Sequence, residues 1–240
     1  MSGQRQNEGT VLLIHHPVGR RDDRASRRLR QMGYRVEWCS PGNGDALPEP
    51  DGQYRAAVVY GGPESVNRLD EYGYLVAEMK WMEKWISKDR HFLGICLGAQ
   101  MLAKVLGASV APHPEGLFEI GYVEIEPTVR GGGFMADPLK VYHWHNEGFA
   151  CPDGAELLAT GPTFPNQAYR FGANVYGIQF HPEVSLDVMK RWLREAGHCL
   201  SEPGAHPAER QLADAALYDK AMADWLNSFL ADWLEAPSGA

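Results

Sequence analysis

The sequence predicts a single three-layer α/β/α domain built on a central mixed sheet, and three observations carry that prediction. Apolar, β-branched runs alternate with helix-period stretches through residues 11–106; short strand-like runs punctuated by glycine and proline follow; and a Gly-x-Cys-x-Gly turn joins a strand directly to a helix. The strand runs of the first part fall at 11–14, 36–38, 56–60 and 91–96. Between them, Asp22 and Asp23 are placed to start a helix over 22–32, and Leu75, Met79, Met82 and Ile86 recur at intervals of three and four within 70–87. Strand, helix, strand, helix in that order gives a mostly parallel sheet with helices on both faces. Residues 97–106 read as a further helix, ended by Gly107. Runs at 119–126, 140–144, 156–160 and 168–171 then suggest hairpins added to the sheet, and a last strand over 175–180 leads into His181. The tail is helical: Leu186, Met189 and Leu193 share a face, and after Pro207 so do Leu212, Ala216, Met222, Trp225, Phe229 and Trp233. No linker divides the chain. The expected organisation is a flexible N-terminus over 1–10, the domain over 11–198, and a helical extension over 199–240 packed on it.

Composition narrows the function. With 23 Lys+Arg against 31 Asp+Glu the 240-residue chain carries a formal charge of −8, which argues against nucleic acid as a ligand, because neutralising phosphates needs a basic face. At 44% hydrophobic and 22% charged it can bury a substantial core. No apolar run approaches the roughly 18 to 20 residues that span a bilayer. The polar start, Met1 to Gly9, is not a secretory signal, so a cytoplasmic protein is expected. Cys39, Cys96, Cys151 and Cys199 are far apart and form no CxxC pair, which disfavours a disulfide framework or a zinc ribbon and leaves room for a chemical cysteine.

The informative stretch is Phe92-Leu93-Gly94-Ile95-Cys96-Leu97-Gly98-Ala99-Gln100. It has the strand-turn-helix pattern of a nucleophile elbow, with cysteine at the apex. Glycines two before and two after are required because side chains at so sharp a turn would meet neighbouring backbone. The following helix N-terminus favours thiolate over thiol and offers the Leu97 N–H to a developing oxyanion. A buried structural cysteine at a sheet-to-helix junction is the competing reading. A second stretch, Gly177-Ile178-Gln179-Phe180-His181-Pro182-Glu183, bears on the choice. A histidine directly after an apolar strand lies at the carboxyl edge of the sheet, where open α/β folds bind ligands and where the elbow strand also ends. Glu183, beyond a turn-forming proline, can hold the imidazole from its far side. Cys96, His181 and Glu183 thus take the parts of nucleophile, general base and orienter.

These two stretches together resemble the class I, triad-type glutamine amidotransferase family. The likeness extends to Tyr60-Gly61-Gly62-Pro63-Glu64-Ser65, similar to the family's oxyanion loop, and to Phe118-Glu119-Ile120-Gly121-Tyr122 and Tyr142-His143-Trp144-His145-Asn146-Glu147, similar to its stand-alone, GMP-synthase-like members. The resemblance implies a flavodoxin-like fold and a thioester mechanism that needs no cofactor. It makes Cys96 the nucleophile, His181 the base and Glu183 its partner. Gly62 and Leu97 would supply oxyanion N–H groups. Gln100, His145, Asn146 and Glu147 would line the substrate pocket. It further implies a small-molecule substrate and a synthetase chain that accepts ammonia. Where the family usually reads His-Gly-Asp, this chain has His145-Asn146-Glu147, whose acid is one methylene longer and whose pocket is open to another γ-glutamyl compound.

Several features have other readings. His143, His145 and Glu147 alternate along a strand pattern and suit a divalent metal, whereas the resemblance gives the stretch to substrate and no metal is expected. Gly131-Gly132-Gly133 lacks the Lys-Ser or Lys-Thr of a phosphate loop and reads as a hairpin connection. Arg20, Arg21, Arg24, Arg27, Arg28 and Arg30 read as a solvated helix face. His15 and His16 fall at the pocket edge. Phe134, Trp144 and Phe149 either wall the pocket or fill core. Three functions compete: one component of an amidotransferase complex, an autonomous γ-glutamyl peptide or amine hydrolase, and a non-catalytic binding protein on the same fold.

Overall fold

β1 (Thr10–Ile14) is buried along its whole length in the computed structural model, which describes residues 9–19 and 21–236. Val11 and Leu13 enter one hydrophobic core and Leu12 and Ile14 the other, the period-2 alternation of a strand covered on both faces. The expected flexible stretch falls mostly on residues 1–8, outside the described residues, and so does Arg20 of the arginine cluster. α1 (Arg24–Gln31) starts where the Asp23 carboxylate accepts the Ser26 N–H at 2.8 Å, an N-cap that the acidic pair foretold. β2 (Arg35–Cys39) and β3 (Tyr54–Val59) both pair parallel with β1. α2 (Gly73–Ile86) then leads to β4 (His91–Ile95), parallel to β3, and the elbow turns straight into α3 (Leu97–Val105).

The second half adds antiparallel strands. β5 (Val110–Pro112) pairs with β8 (Glu147–Phe149) in a two-stranded ribbon absent from the sequence reading, because three-residue strands are too short to show a period. β6 (Glu119–Pro127) and β7 (Leu139–His145) form a hairpin whose connection includes Gly131 to Gly133, as expected. β9 (Ala155–Thr160), β10 (Ala168–Phe171) and β11 (Val175–Ile178) close the sheet, with β11 parallel to β4. The nine-stranded order is β2-β1-β3-β4-β11-β10-β9-β6-β7. The chain is therefore a mixed α/β fold with a large central mixed sheet, as its sequence predicts.

α1, α4 (Leu186–Glu195) and α5 (Ala208–Glu235) cover one face of the sheet; α2 and α3 cover the other. Two helix faces differ from expectation. Leu186 is 40% exposed while Val188 and Met189 are buried. At the start of α5, Leu212 turns outward and Gln211 inward, because the Gln211 side chain is satisfied there: its Nε2–H donates to His206 O at 2.7 Å and its Oε1 accepts from Tyr142 Oη at 2.8 Å. Ala216 is likewise exposed, with Ala215 buried in its place, and beyond it Met222, Phe229 and Trp233 pack inward as predicted. No helix among the described residues is long and apolar enough to cross a membrane.

Candidate active site

The site begins with a strand register. Ile95, the last residue of β4, pairs with Ile178, the last residue of β11, so the chain leaves the sheet at the same level on two adjacent strands. Cys96 follows one strand, anchored by its N–H to Ile178 O at 2.8 Å, and Gln179 to Glu183 follow the other. Cys96 adopts φ +50°, ψ −106°, a left-handed conformation that a non-glycine residue holds only when its surroundings fix it. The flanking glycines do that by letting backbones close. A Cβ on Gly94 would lie 2.6 Å from the Gly98 carbonyl, and one on Gly98 only 2.1 Å from Val59 O.

His181 meets Cys96 from the β11 side. Its backbone N–H is held by Tyr142 O at 2.8 Å, its ring hydrogen-bonds the Cys96 thiol, and its Nδ1 lies 2.8 Å from Glu183 Oε1. With Glu183 accepting at Nδ1–H, Nε2 is the nitrogen left for the thiol proton. Burial alone would lower the His181 pKa; the Glu183 carboxylate and Cys96 outweigh it and raise the value to about 10. The protonated ring is therefore favoured between two acidic groups. α1 steadies this loop: Arg24 N–H donates to Glu183 O at 2.8 Å, and the Arg24 guanidinium reaches Pro182 O at 3.0 Å and the Asp219 carboxylate at 2.7 Å. Arg24 is thus an internal strut; the reading of α1 as a purely solvated arginine face is corrected at this position.

Gly61 and Gly62, after β3, close the site from the other side. A Cβ on Gly61 would fall 2.7 Å from His181 Cε1 and 3.3 Å from Cys96 Cβ. Gly62, Cys96, Gln100, His145, Asn146, Glu147, His181 and Glu183 all line one cleft of about 720 Å³, a size suited to a small-molecule ligand. Leu97 is not among the cleft-lining residues, and its side chain packs in the core instead. The far wall is aromatic: Trp192 stands edge-on to His181 at 5.0 Å and to Trp144 at 5.8 Å. Phe134 and Phe149 turn away into packing against Trp225 and Tyr169.

The metal trio suggested by sequence is not assembled. The Glu147 carboxylate accepts from Ser65 Oγ at 2.8 Å and Asn67 Nδ2 at 3.0 Å, away from the histidines, because β7 ends at His145 and the alternation breaks there. Glu119 takes its place: its Oε2 lies 3.0 Å from His145 Nε2 and 3.3 Å from His143 Nδ1. These three form the one group among the described residues with the donor set for a divalent cation. Hydrogen bonding accounts for the arrangement as it stands, since Gln167 Nε2–H also donates to Glu119 Oε2 at 2.9 Å and His145 Nδ1 faces Glu147 O at 3.0 Å. Burial raises the Glu119 pKa, but the facing His143 and His145 rings and Gln167 bring it down to about 2; burial depresses His143 to about 3 and keeps it neutral.

Sequence reasoning missed three residues here. Gln179 sits inside a quoted motif, yet only the fold shows its Nε2–H 3.5 Å from Cys96 Sγ and its Oε1 3.3 Å from Gln100 Nε2. Glu119 and Ser65 also lie inside motifs named from sequence, but their roles do not show there, because each acts through a partner distant in sequence. His15 lines the cleft as expected, whereas His16 is buried beneath the Gly61–Gly62 loop. The cysteines are all free, and Cys199 lies on the cleft wall.

Residues 23–197 match the sequence profile of glutamine amidotransferase class-I. The chain is 31% identical over 214 residues to the glutamine amidotransferase-like protein YfeJ of Salmonella typhimurium, covering 85% of this chain and 89% of that protein. It is 35% identical over 177 residues to a glutamine-hydrolysing GMP synthase subunit of Sulfolobus acidocaldarius, covering 69% and 88%. The crystal structure of a glutamine amidotransferase from Thermotoga maritima superposes with a TM-score of 0.86 at 31% identity, covering 95% of this chain and 99% of that one.

Proposed function

The chain belongs to the class I glutamine amidotransferase family, and on that footing we propose that it hydrolyses the γ-carboxamide of glutamine, or a related γ-glutamyl amide, through a thioester on Cys96. The observation that carries this reading is the Cys96 thiol held at a strained elbow against the His181 ring, with Glu183 2.8 Å behind it. With the thiol proton already drawn onto His181, whose raised pKa favours the charged ring, the Cys96 thiolate attacks the amide carbon, and the charge that collects on oxygen faces the N–H groups of Gly62 and Leu97. Each such donor is typically worth about 10² to 10³ in rate. His181 returns the proton to the departing nitrogen, which leaves as ammonia or an amine. It then draws a proton from water as that water attacks the thioester, releasing glutamate and restoring the thiol. No cofactor enters these steps.

Gln100, His145, Asn146 and Glu147 form the substrate end of the cleft in this reading, with the Glu147 carboxylate directed at the α-ammonium group. Ser65 and Asn67 hold that carboxylate in place. The catalytic unit runs over residues 11–198 with the 199–240 extension packed on it, and works in the cytoplasm, where a thiol nucleophile stays reduced. One relative is a single subunit of a GMP synthase, which supports an ammonia-accepting synthetase chain as partner. The longer acid at position 147 and the roomy cleft favour a second reading, an autonomous hydrolase of γ-glutamyl peptides or amines.

One panel separates these readings. Purified wild type and Cys96→Ser are incubated with glutamine, glutathione and γ-glutamyl amines, and glutamate and ammonia are both measured. Equimolar glutamate and ammonia from glutamine is the expected result, with the rate raised when the partner is added. Glutamate released faster from the substituted amides, with no partner present, selects the autonomous hydrolase. Turnover equal in wild type and Cys96→Ser would leave the non-catalytic reading.

A further inference from the structure

Beneath the Gly61–Gly62 loop lies a buried acid–base pair that the chemistry above does not use. His16, two residues past β1, is 0% exposed, and its Nδ1 stands 3.1 Å from Gly61 O. Its Nε2 lies 3.5 Å from Oε1 of Glu78, whose side chain on α2 is also 0% exposed. The Gly61–Gly62 peptide is gripped from two sides. A Cβ on Gly61 would meet His181 and Cys96, whereas one on Gly62 would lie 2.9 Å from both Cβ and Cγ of His16. One neighbour of that peptide is therefore the reacting pair, and on the other side stand His16 and the Glu64 carboxylate.

The planar amide explains why this matters. Gly61 O and the Gly62 N–H belong to the same peptide unit and point to opposite edges of one plane, so whatever holds the carbonyl also aims the N–H. A donor on the carbonyl further polarises the unit and makes its N–H a stronger donor. Gly61 O can only accept, so the contact puts the ring proton on Nδ1. Nε2 then faces a carboxylate for which no other hydrogen-bond partner is present among the described residues. Tyr74 stands 6.2 Å away ring to ring, and Glu64 and Glu78 supply negative charge; together with the Gly61 carbonyl these acids outweigh burial and raise the His16 pKa.

We propose that His16, backed by Glu78, is a positioning residue of the oxyanion site: its Nδ1–H fixes the Gly61–Gly62 peptide so that the Gly62 N–H faces the oxyanion formed on Cys96. The proposal rests on the reading of Cys96 as a nucleophile toward γ-glutamyl amides. It separates His16 from a simple core histidine, because its effect falls on one kind of chemistry at Cys96 and not on another.

The test uses wild type, Cys96→Ser, His16→Ala, His16→Gln and Glu78→Gln, with three readouts. These are kcat and KM on the amide that wild type hydrolyses best, inhibition by glutamate γ-semialdehyde, and alkylation of Cys96 by iodoacetamide. The aldehyde adds the thiol to form a tetrahedral oxyanion; alkylation displaces iodide at carbon and forms none. His16→Ala is expected to lower kcat by about 10- to 100-fold with KM little changed, and to weaken the aldehyde by a similar factor, while alkylation keeps its wild-type rate. His16→Gln, which can still donate, recovers part of the loss. Glu78→Gln, of the same shape, lowers kcat by about fivefold and carries the test if His16→Ala does not fold. The proposal is overturned if kcat survives in both variants, or if kcat and alkylation fall together. Failure of the underlying reading looks different: wild type releases no glutamate from any γ-glutamyl amide, or Cys96→Ser releases as much. There is then no oxyanion to stabilise, and the His16 proposal falls with it.

Discussion

At the scale of single residues, the site works because small groups allow close approaches that charged groups then exploit. Gly98 is the clearest case, since its missing Cβ leaves room for Val59 O. Gly98→Ala must move backbone rather than a flexible side-chain end, so a loss of about 1–3 kcal/mol is expected in urea unfolding, with kcat reduced more steeply than stability because the elbow shifts. Glu183 acts through charge. Glu183→Gln keeps the shape but removes the anion that raises the His181 pKa. The alkaline limb of the kcat/KM profile should move to lower pH by about one unit or more, and an unmoved limb would count against Glu183 as the partner of the base. Sequence made Cys96, His181 and Glu183 legible because each sits in a short motif whose spacing has a physical reason. The roles of Gln179 and Glu119 were not legible, nor was the buried place of His16, expected at the pocket edge, because their partners Cys96, His145 and Gly61 come to them through the sheet.

At the scale of elements, the junctions between strands and helices position chemistry, and α5 holds the sheet that carries them. Trp225, Phe229 and Trp233 stack along α5 with near-parallel rings, at 5.2 Å and 6.0 Å between successive centroids. Trp233 is 3% exposed, and its Nε1–H donates to Asn174 O at 2.9 Å, directly before β11. Trp233→Ala should therefore cost about 3–5 kcal/mol of unfolding free energy by denaturant titration. Because β11 leads to His181, kcat should fall as well. The helical period of α5 was readable from sequence over its second half, where large apolar residues recur. Its first turns were not, since hydrogen bonding to Tyr142 and His206 puts Gln211 inside and leaves Leu212 outside. The ribbon of β5 and β8 shows the same limit, as tertiary contact and not local preference makes it a sheet.

At the scale of the whole molecule, buried histidines of opposite kinds set the pH range of the fold. His91 is depressed to about 4, mainly by burial and then by Arg55, and His143 to about 3. Both are neutral in the fold. The unfolded chain binds the extra protons, so their stabilising effect is complete above pH 6.5 and is lost as pH falls toward 4 and 3. His181 and His16 are raised, so their contribution is complete below pH 6.5 and lost as pH rises, through about 10 for His181. Thermal midpoints across pH 4 to 10 should peak near 6.5, where the two sets cross; a midpoint still climbing at pH 9 would contradict the assignment. The sequence by itself determined the α/β architecture, the elbow, and the Cys96, His181 and Glu183 set proposed as nucleophile, base and orienter, because those follow from periodicity and from motifs a few residues long. Only the tertiary structure decided that Ile95 and Ile178 end at one level, that Glu147 turns from the histidines toward Ser65, and that His16 lies under the oxyanion loop. Those facts depend on strand register and helix packing between distant segments, and no local window of sequence contains them.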